Sequence, residues 1–126
     1  MPAQMDPVMT ALGFQSEVPA PGEARVWVRL APEHLNSWGS AHGGLLFTLA
    51  DSAFALASNA HGPLAVALGA HIAFLRATRV GDTLEACARE VSLTRRTGVY
   101  QVEIRCGGDL VAVFTGTAHR KVHPGV

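Results

Sequence analysis

The sequence predicts an α+β domain in which one long helix packs on an antiparallel sheet. Three observations predict it. Glu23 to Leu30 alternate, with Ala24, Val26, Val28 and Leu30 on one side and Glu23, Arg25, Trp27 and Arg29 on the other. That is the period of a half-buried strand. Leu45 to Ala60 are rich in Ala and Leu and contain neither Pro nor Gly, which gives a helix of about four turns. Four more strand-like segments follow, joined mostly by tight-turn signals.

In chain order, Met5 to Gly13 reads as a short helical or irregular lead-in, and Pro19-Ala20-Pro21-Gly22 as a turn. Ala31-Pro32 ends the first strand, and a polar, Gly-containing segment runs from His34 to Gly44. His61-Gly62-Pro63 stops the helix. Leu64 to Leu75 is a nearly continuous apolar run, which predicts a central strand. After the turn at Val80-Gly81-Asp82 comes a strand over Thr83 to Leu93, then a basic connecting loop over Thr94 to Gly98. Val99 to Cys106 alternates, Gly107-Gly108 signals a hairpin, and Leu110 to His119 forms the last strand. The tail after Arg120 is expected to fray. A single helix cannot cover a long curved sheet alone, so pairing with a second copy is the natural solution.

At 126 residues the chain fits one domain spanning 1–126. Hydrophobic residues are 48% and charged residues 16%, which excludes a disordered chain and implies extra buried apolar surface. Lys+Arg and Asp+Glu balance at ten each, so no basic excess points to nucleic acid or a membrane surface. Cys87 and Cys106 form no metal spacing and no redox pair, and read as buried structural thiols. No two histidines stand at a recognised ligand spacing, so no metal site is expected. Met1 to Met9 lacks the regions of a signal peptide, and Asp51 interrupts the longest apolar stretch. A cytoplasmic protein is the expectation.

Asp51 is the only formally charged side chain between Glu33 and Arg76, and it sits mid-helix in the most apolar helix. A buried carboxylate needs a partner, a hydrated pocket or a function. Composition alone also fits a bland alternative. Thr48, Asp51, Ser52, Ala55, Ser58 and Asn59 share helical spacing and would form a solvated face. Leu45, Leu49, Ala53, Leu56 and Ala60 would then face the sheet.

The residues before the helix favour chemistry. His42-Gly43-Gly44 opens it, and its first amides have no intrahelical partner. Two glycines leave those amides open to an oxygen atom, and developing charge on a carbonyl oxygen is what such donors stabilise in acyl transfer. Asn36 and His42 can orient a water or bond a thioester carbonyl. Gly43 and Asp51 are eight residues apart, roughly 12 Å along one helix. That is too far for both to act on one carbonyl. Two antiparallel helices from two subunits remove the gap, which makes any such enzyme at least a dimer.

His34-Leu35-Asn36, Gly39, His42-Gly43-Gly44 and Leu49-Ala50-Asp51-Ser52-Ala53 together resemble the PaaI family of hotdog thioesterases, enzymes linked to phenylacetate degradation. Phe74-Leu75-Arg76, Gly81-Asp82, Arg95-Arg96-Thr97, and Leu110-Val111-Ala112 followed by Gly116-Thr117 extend the similarity over nearly the whole chain. The resemblance implies a hotdog fold, a long central helix wrapped by a curved antiparallel β-sheet. It implies dimers that pair into homotetramers. It implies hydrolysis of acyl-CoA thioesters, with phenylacetyl-CoA or its ring-hydroxylated forms favoured. Asp51 would be general base or nucleophile, and the Gly43 amide would polarise the carbonyl. Asn36 would hold water or carbonyl, and His42 would support the loop or thioester. One departure is Ala55, where relatives often carry Thr or Ser; Ser52 or Ser58 would have to supply that hydroxyl. Another is Ala77, which follows Arg76 where Pro is common.

The CoA end needs phosphate contacts. Arg76, Arg95, Arg96 and Thr97 are the candidates, since Arg forks suit phosphate oxygens, with Gly44 beside the reacting group. A solvated basic turn is the alternative reading of the same residues. CoA is part of the substrate here, so no separate cofactor is expected. Two other functions share the fold: an acyl-thioester dehydratase or hydratase, and a non-enzymatic acyl-CoA sensor. The His-Gly-Gly start with a carboxylate eight residues beyond its first Gly fits a thioesterase better than a dehydratase. The chain has no room for a helix-turn-helix, which counts against a sensor.

Overall fold

The computed structural model describes residues 6–121. Residues 1–5 and the tail from 122, where fraying is expected, lie outside the described residues. Its elements are α1 (Pro7–Ala11), β1 (Gln15–Ala20), β2 (Glu23–Arg29), a 3-10 turn (Pro32–His34), α2 (Gly43–Asn59), β3 (Ala65–Phe74), β4 (Thr83–Leu93), β5 (Thr97–Cys106) and β6 (Asp109–Arg120). The six strands form one antiparallel sheet in the order β1-β2-β4-β5-β6-β3. The long helix packs on it, the α+β hotdog arrangement.

Helix α2 owes its position to small residues on its inner face. Leu45, Leu46, Leu49, Ala50, Ala53, Phe54 and Ala57 are buried against strand residues that include Tyr100, Val102, Ile104 and Phe114. Phe54 bridges the layers, with ring centroids 5.6 Å from Tyr100 and 5.7 Å from Phe114. Gly116 is where they meet most closely. A Cβ there would lie 3.0 Å from both the Phe54 and Phe114 rings, so only glycine lets the helix sit this low.

Both helix ends are tied down. His42 is the N-cap, and its Nδ1 accepts from the Gly44 amide at 2.9 Å. At the far end Asn59 exchanges bonds with Ala65, Oδ1 accepting from the Ala65 amide and Nδ2 donating to its carbonyl. This clamp folds β3 back beside the helix.

Several expectations need correction. Strand β1 lies mostly between the expected lead-in and turn, where the sequence predicts no element, and takes in Pro19 and Ala20 of that turn. It carries Pro19 and weak alternation, which an edge strand tolerates because one side needs no donors. β3 is an edge strand, not a central one, and Val66 to His71 are all exposed. An apolar run signals that both faces want cover, but not whether the same chain supplies it. Thr97 and Gly98 belong to β5, paired with His119 and Ala118, rather than to a loop. Cys87 and Cys106 are half-buried free thiols, not fully buried ones. Cys87 alternates with buried Ala86 and Ala88 and so faces the outer side of the sheet, donating to Glu85 Oε1.

Candidate active site

The Asn36 to Ser40 loop is built around one side chain. Asn36 Oδ1 accepts from the amides of Trp38 (2.9 Å) and Ser40 (3.1 Å). Gly39 turns the chain at φ +84°, a region that favours glycine. The Asn36 oxygen is thus committed to the loop, and its Nδ2 donor is the group left to meet a water or carbonyl. Loop and helix meet at His34 and His42, where the His42 amide donates to the His34 carbonyl at 2.9 Å. His34 itself is buried, with Nδ1 accepting from the Ala31 amide (3.0 Å) and Nε2 donating to the Leu12 carbonyl (2.8 Å). Both ring nitrogens are occupied, so His34 is structural.

The first two amides of α2 differ. His42 Nδ1 caps Gly44, whereas the Gly43 amide meets no acceptor among the described residues. Gly43 is therefore the open donor, and His42 serves it by holding the turn. Phe74, at the end of β3, covers this glycine; a Cβ on Gly43 would lie 3.4 Å from its ring. In the sequence Phe74 stands out only as part of the Phe-Leu-Arg triplet, and nothing there shows this contact.

Asp51 is half-buried on the same helix, eight residues on. Burial, and then the negative charge of Asp6, push its carboxyl above the ordinary aspartate range. No side-chain hydrogen bond or ion pair holds it among the described residues. The solvated-face reading fails for two of its members. Ser52 and Ser58 are buried, and their hydroxyls donate to the Thr48 carbonyl (2.7 Å) and the Ala55 carbonyl (3.3 Å). Neither can replace the hydroxyl missing at Ala55. Thr48, one turn before Asp51, donates to the Gly44 carbonyl at 2.8 Å and lines a cleft beside the helix start.

The basic candidates do not converge within one chain. Arg76 follows β3, 3.8 Å from Asp109, and its amide donates to the Val111 carbonyl. The Arg96 carbonyl accepts from the Arg120 amide, and Arg95 precedes it in the β4–β5 loop. Val111 and Arg120 are nine residues apart on β6, roughly 30 Å at about 3.3 Å per residue. Thr97 packs its hydroxyl against Thr94 at 2.7 Å at the Arg96 end. Among the described residues no group of three or more His, Cys, Asp or Glu is placed to hold a metal ion. No helix there is long and apolar enough to cross a membrane.

A family model for the thioesterase superfamily matches residues 39–113. The solved structure of a mutant phenylacetic acid degradation protein PaaI from Thermus thermophilus is 52% identical with a TM-score of 0.89, covering 92% of this chain and 100% of that one. The acyl-coenzyme A thioesterase PaaI of Escherichia coli is 42% identical over 116 residues, 91% of this chain and 83% of its own length. A Streptococcus pneumoniae thioesterase protein solved with coenzyme A is 30% identical with a TM-score of 0.84, covering 90% of each chain. The chain spans 65% of the length of a curated relative from Archaeoglobus fulgidus that is 43% identical over 79% of this chain. The chain belongs to the thioesterase superfamily. Within it, it is a hotdog-fold member of the PaaI-type acyl-CoA thioesterases.

Proposed function

We propose that this chain hydrolyses aryl acyl-CoA thioesters, phenylacetyl-CoA or a ring-hydroxylated form, to free acid and CoA in the cytoplasm. The observation that carries the reading is the pair of groups on α2: a Gly43 amide and a half-buried Asp51 carboxyl that, among the described residues, have no hydrogen-bond partner. The Gly43 amide holds the thioester carbonyl and stabilises its developing negative charge. Asp51 from a second subunit deprotonates water or attacks directly to form a mixed anhydride. A raised pKa suits the first role, because it makes the carboxylate a better base. The Asn36 Nδ2 donor steadies water or carbonyl. CoA enters as part of the substrate, as the coenzyme A bound by the S. pneumoniae relative supports.

The second subunit follows from two features. Gly43 and Asp51 are roughly 12 Å apart along one axis, and β3 leaves a long apolar edge uncovered, with Leu68 64% exposed. Such an edge is a pairing surface. Joining two β3 strands about a two-fold axis sets two α2 helices antiparallel, and further pairing gives a tetramer. The same symmetry explains the divided arginines. Arg76 lies at the Gly43 end of its own chain, while Arg95, Arg96 and Thr97 reach that site from a neighbouring subunit to meet CoA phosphates.

A free-thiol assay with phenylacetyl-CoA tests the reading. Asp51→Asn keeps binding and assembly and loses at least about 100-fold in kcat, the size of a general-base contribution. A variant with near wild-type kcat contradicts the assignment. A wild-type protein that turns over the thioester without releasing CoA points to a dehydratase instead.

A further inference from the structure

Two open clefts flank the segment between α1 and α2. The inner one, of about 290 Å³, is lined by Leu12, Glu33, His34, Leu35, His42, Gly44, Leu45 and Thr48. It begins at the helix start, beside Gly43. The outer one, of about 390 Å³, lies between the end of α1 and Trp27, Arg29 and Thr83. Three residues line both: Leu12, Glu33 and His34. They form the wall between the two.

We infer that Leu12, pinned by His34, is a specificity-determining stop: it closes the acyl end of the inner cleft and limits the acyl group to one short or single-ring unit. This rests on the reading of Gly43 as the carbonyl-holding donor. His42 and Gly44, the chain neighbours of Gly43, line the inner cleft, which puts this space next to a carbonyl held by the Gly43 amide. Its apolar lining is Leu12, Leu35 and Leu45, and Thr48 and His42 add polar edges. Its volume sits at the bottom of the range for small-molecule pockets, about 300–1,000 Å³.

The wall is held rather than merely in contact. Buried His34 donates from Nε2 to the Leu12 carbonyl at 2.8 Å, and its Nδ1 takes the Ala31 amide at 3.0 Å. Leu12 also caps α1, its amide donating to the Val8 carbonyl at 3.0 Å. The residue is thus fixed at both backbone groups, and its side chain packs on the core from the partition. Glu33 is exposed, so its carboxylate stays in water and does not need the wall. Trimming Leu12 removes the side-chain part of the partition and leaves the outer cleft as room for a longer acyl tail.

The test is the acyl profile, read as the ratio of kcat/KM for decanoyl-CoA to that for acetyl-CoA. Leu12→Ala raises this ratio at least tenfold over wild type. Leu12→Val, which removes less, raises it less and serves if the alanine variant does not fold. Ala11→Trp, which fills the outer cleft only, returns the ratio of Leu12→Ala toward the wild-type value. An unchanged ratio in folded Leu12→Ala or Leu12→Val overturns the stop while leaving the thioesterase reading intact. A wild-type protein that hydrolyses none of acetyl-, phenylacetyl- or decanoyl-CoA overturns both.

Discussion

At the Asp51 carboxyl, burial and the charge of Asp6 both favour the protonated form. Two consequences follow with fixed signs. In the proposed mechanism the reactive species is the carboxylate, so kcat/KM should fall on the acid side at a pH above the ordinary aspartate value of 3.8. In stability the sign is the reverse of the common carboxylate case. The folded state holds this proton more tightly than the unfolded chain, so stability is lost as pH rises from the ordinary value through the raised one. Asp51→Asn should therefore raise the melting temperature at pH 7 while it lowers kcat. An acid limb at or below 3.8, together with a lower melting temperature for Asp51→Asn, contradicts this account of the residue. Asp51 stands out in the sequence as a lone charge in an apolar helix. Its exposure does not, because Ser52 and Ser58 share its spacing yet bond back to the helix.

At the scale of elements, the far end of α2 is held by a polar cluster that the mechanism does not use. His61, just past the helix, donates from Nε2 to Glu90 Oε2 at 2.5 Å, and the buried Tyr100 hydroxyl donates to the same oxygen at 2.8 Å. Burial alone would raise the Glu90 pKa; the bonds from His61 and Tyr100 and the charges of His61 and Arg120 outweigh it and lower it. The contribution to stability is present above the ordinary glutamate value of 4.5 and is lost as pH falls through the lowered one. Glu90→Gln should lower the melting temperature at pH 7, and the gap from wild type should narrow as pH falls below the ordinary value of 4.5. A gap that persists in acid sinks the ionic account. Helix α2 and strands β2, β4, β5 and β6 are legible in the sequence because each writes its period in apolar residues of its own chain. Strand β1 is not, since Pro19 and its polar neighbours blur the alternation of an edge. The Leu12–His34 wall is also hidden: it joins residues 22 apart through a backbone carbonyl, and a carbonyl leaves no mark in a sequence.

For the whole molecule, the run from Leu64 to Leu75 announces burial, and the single chain leaves it exposed at the sheet edge. The proposed partner chain would reconcile the two, and it would also bring Gly43 and Asp51 together. Gly43 is the first helical residue, and its N-cap His42 has ψ 138°, the extended conformation that proline accepts before it. Proline is at home at the first helical position. Gly43→Pro therefore deletes the amide while keeping the helix, and Asp51→Asn deletes the proposed base. The most direct measurement is the phenylacetyl-CoA hydrolysis rate of these two variants alone and after co-refolding in equal amounts. Shared sites predict two nearly inactive pure proteins and a mixture that recovers about a quarter of wild-type activity, because half the dimers are mixed and each has one intact site. A mixture as inactive as its components would contradict a site built from Gly43 of one subunit and Asp51 of the other.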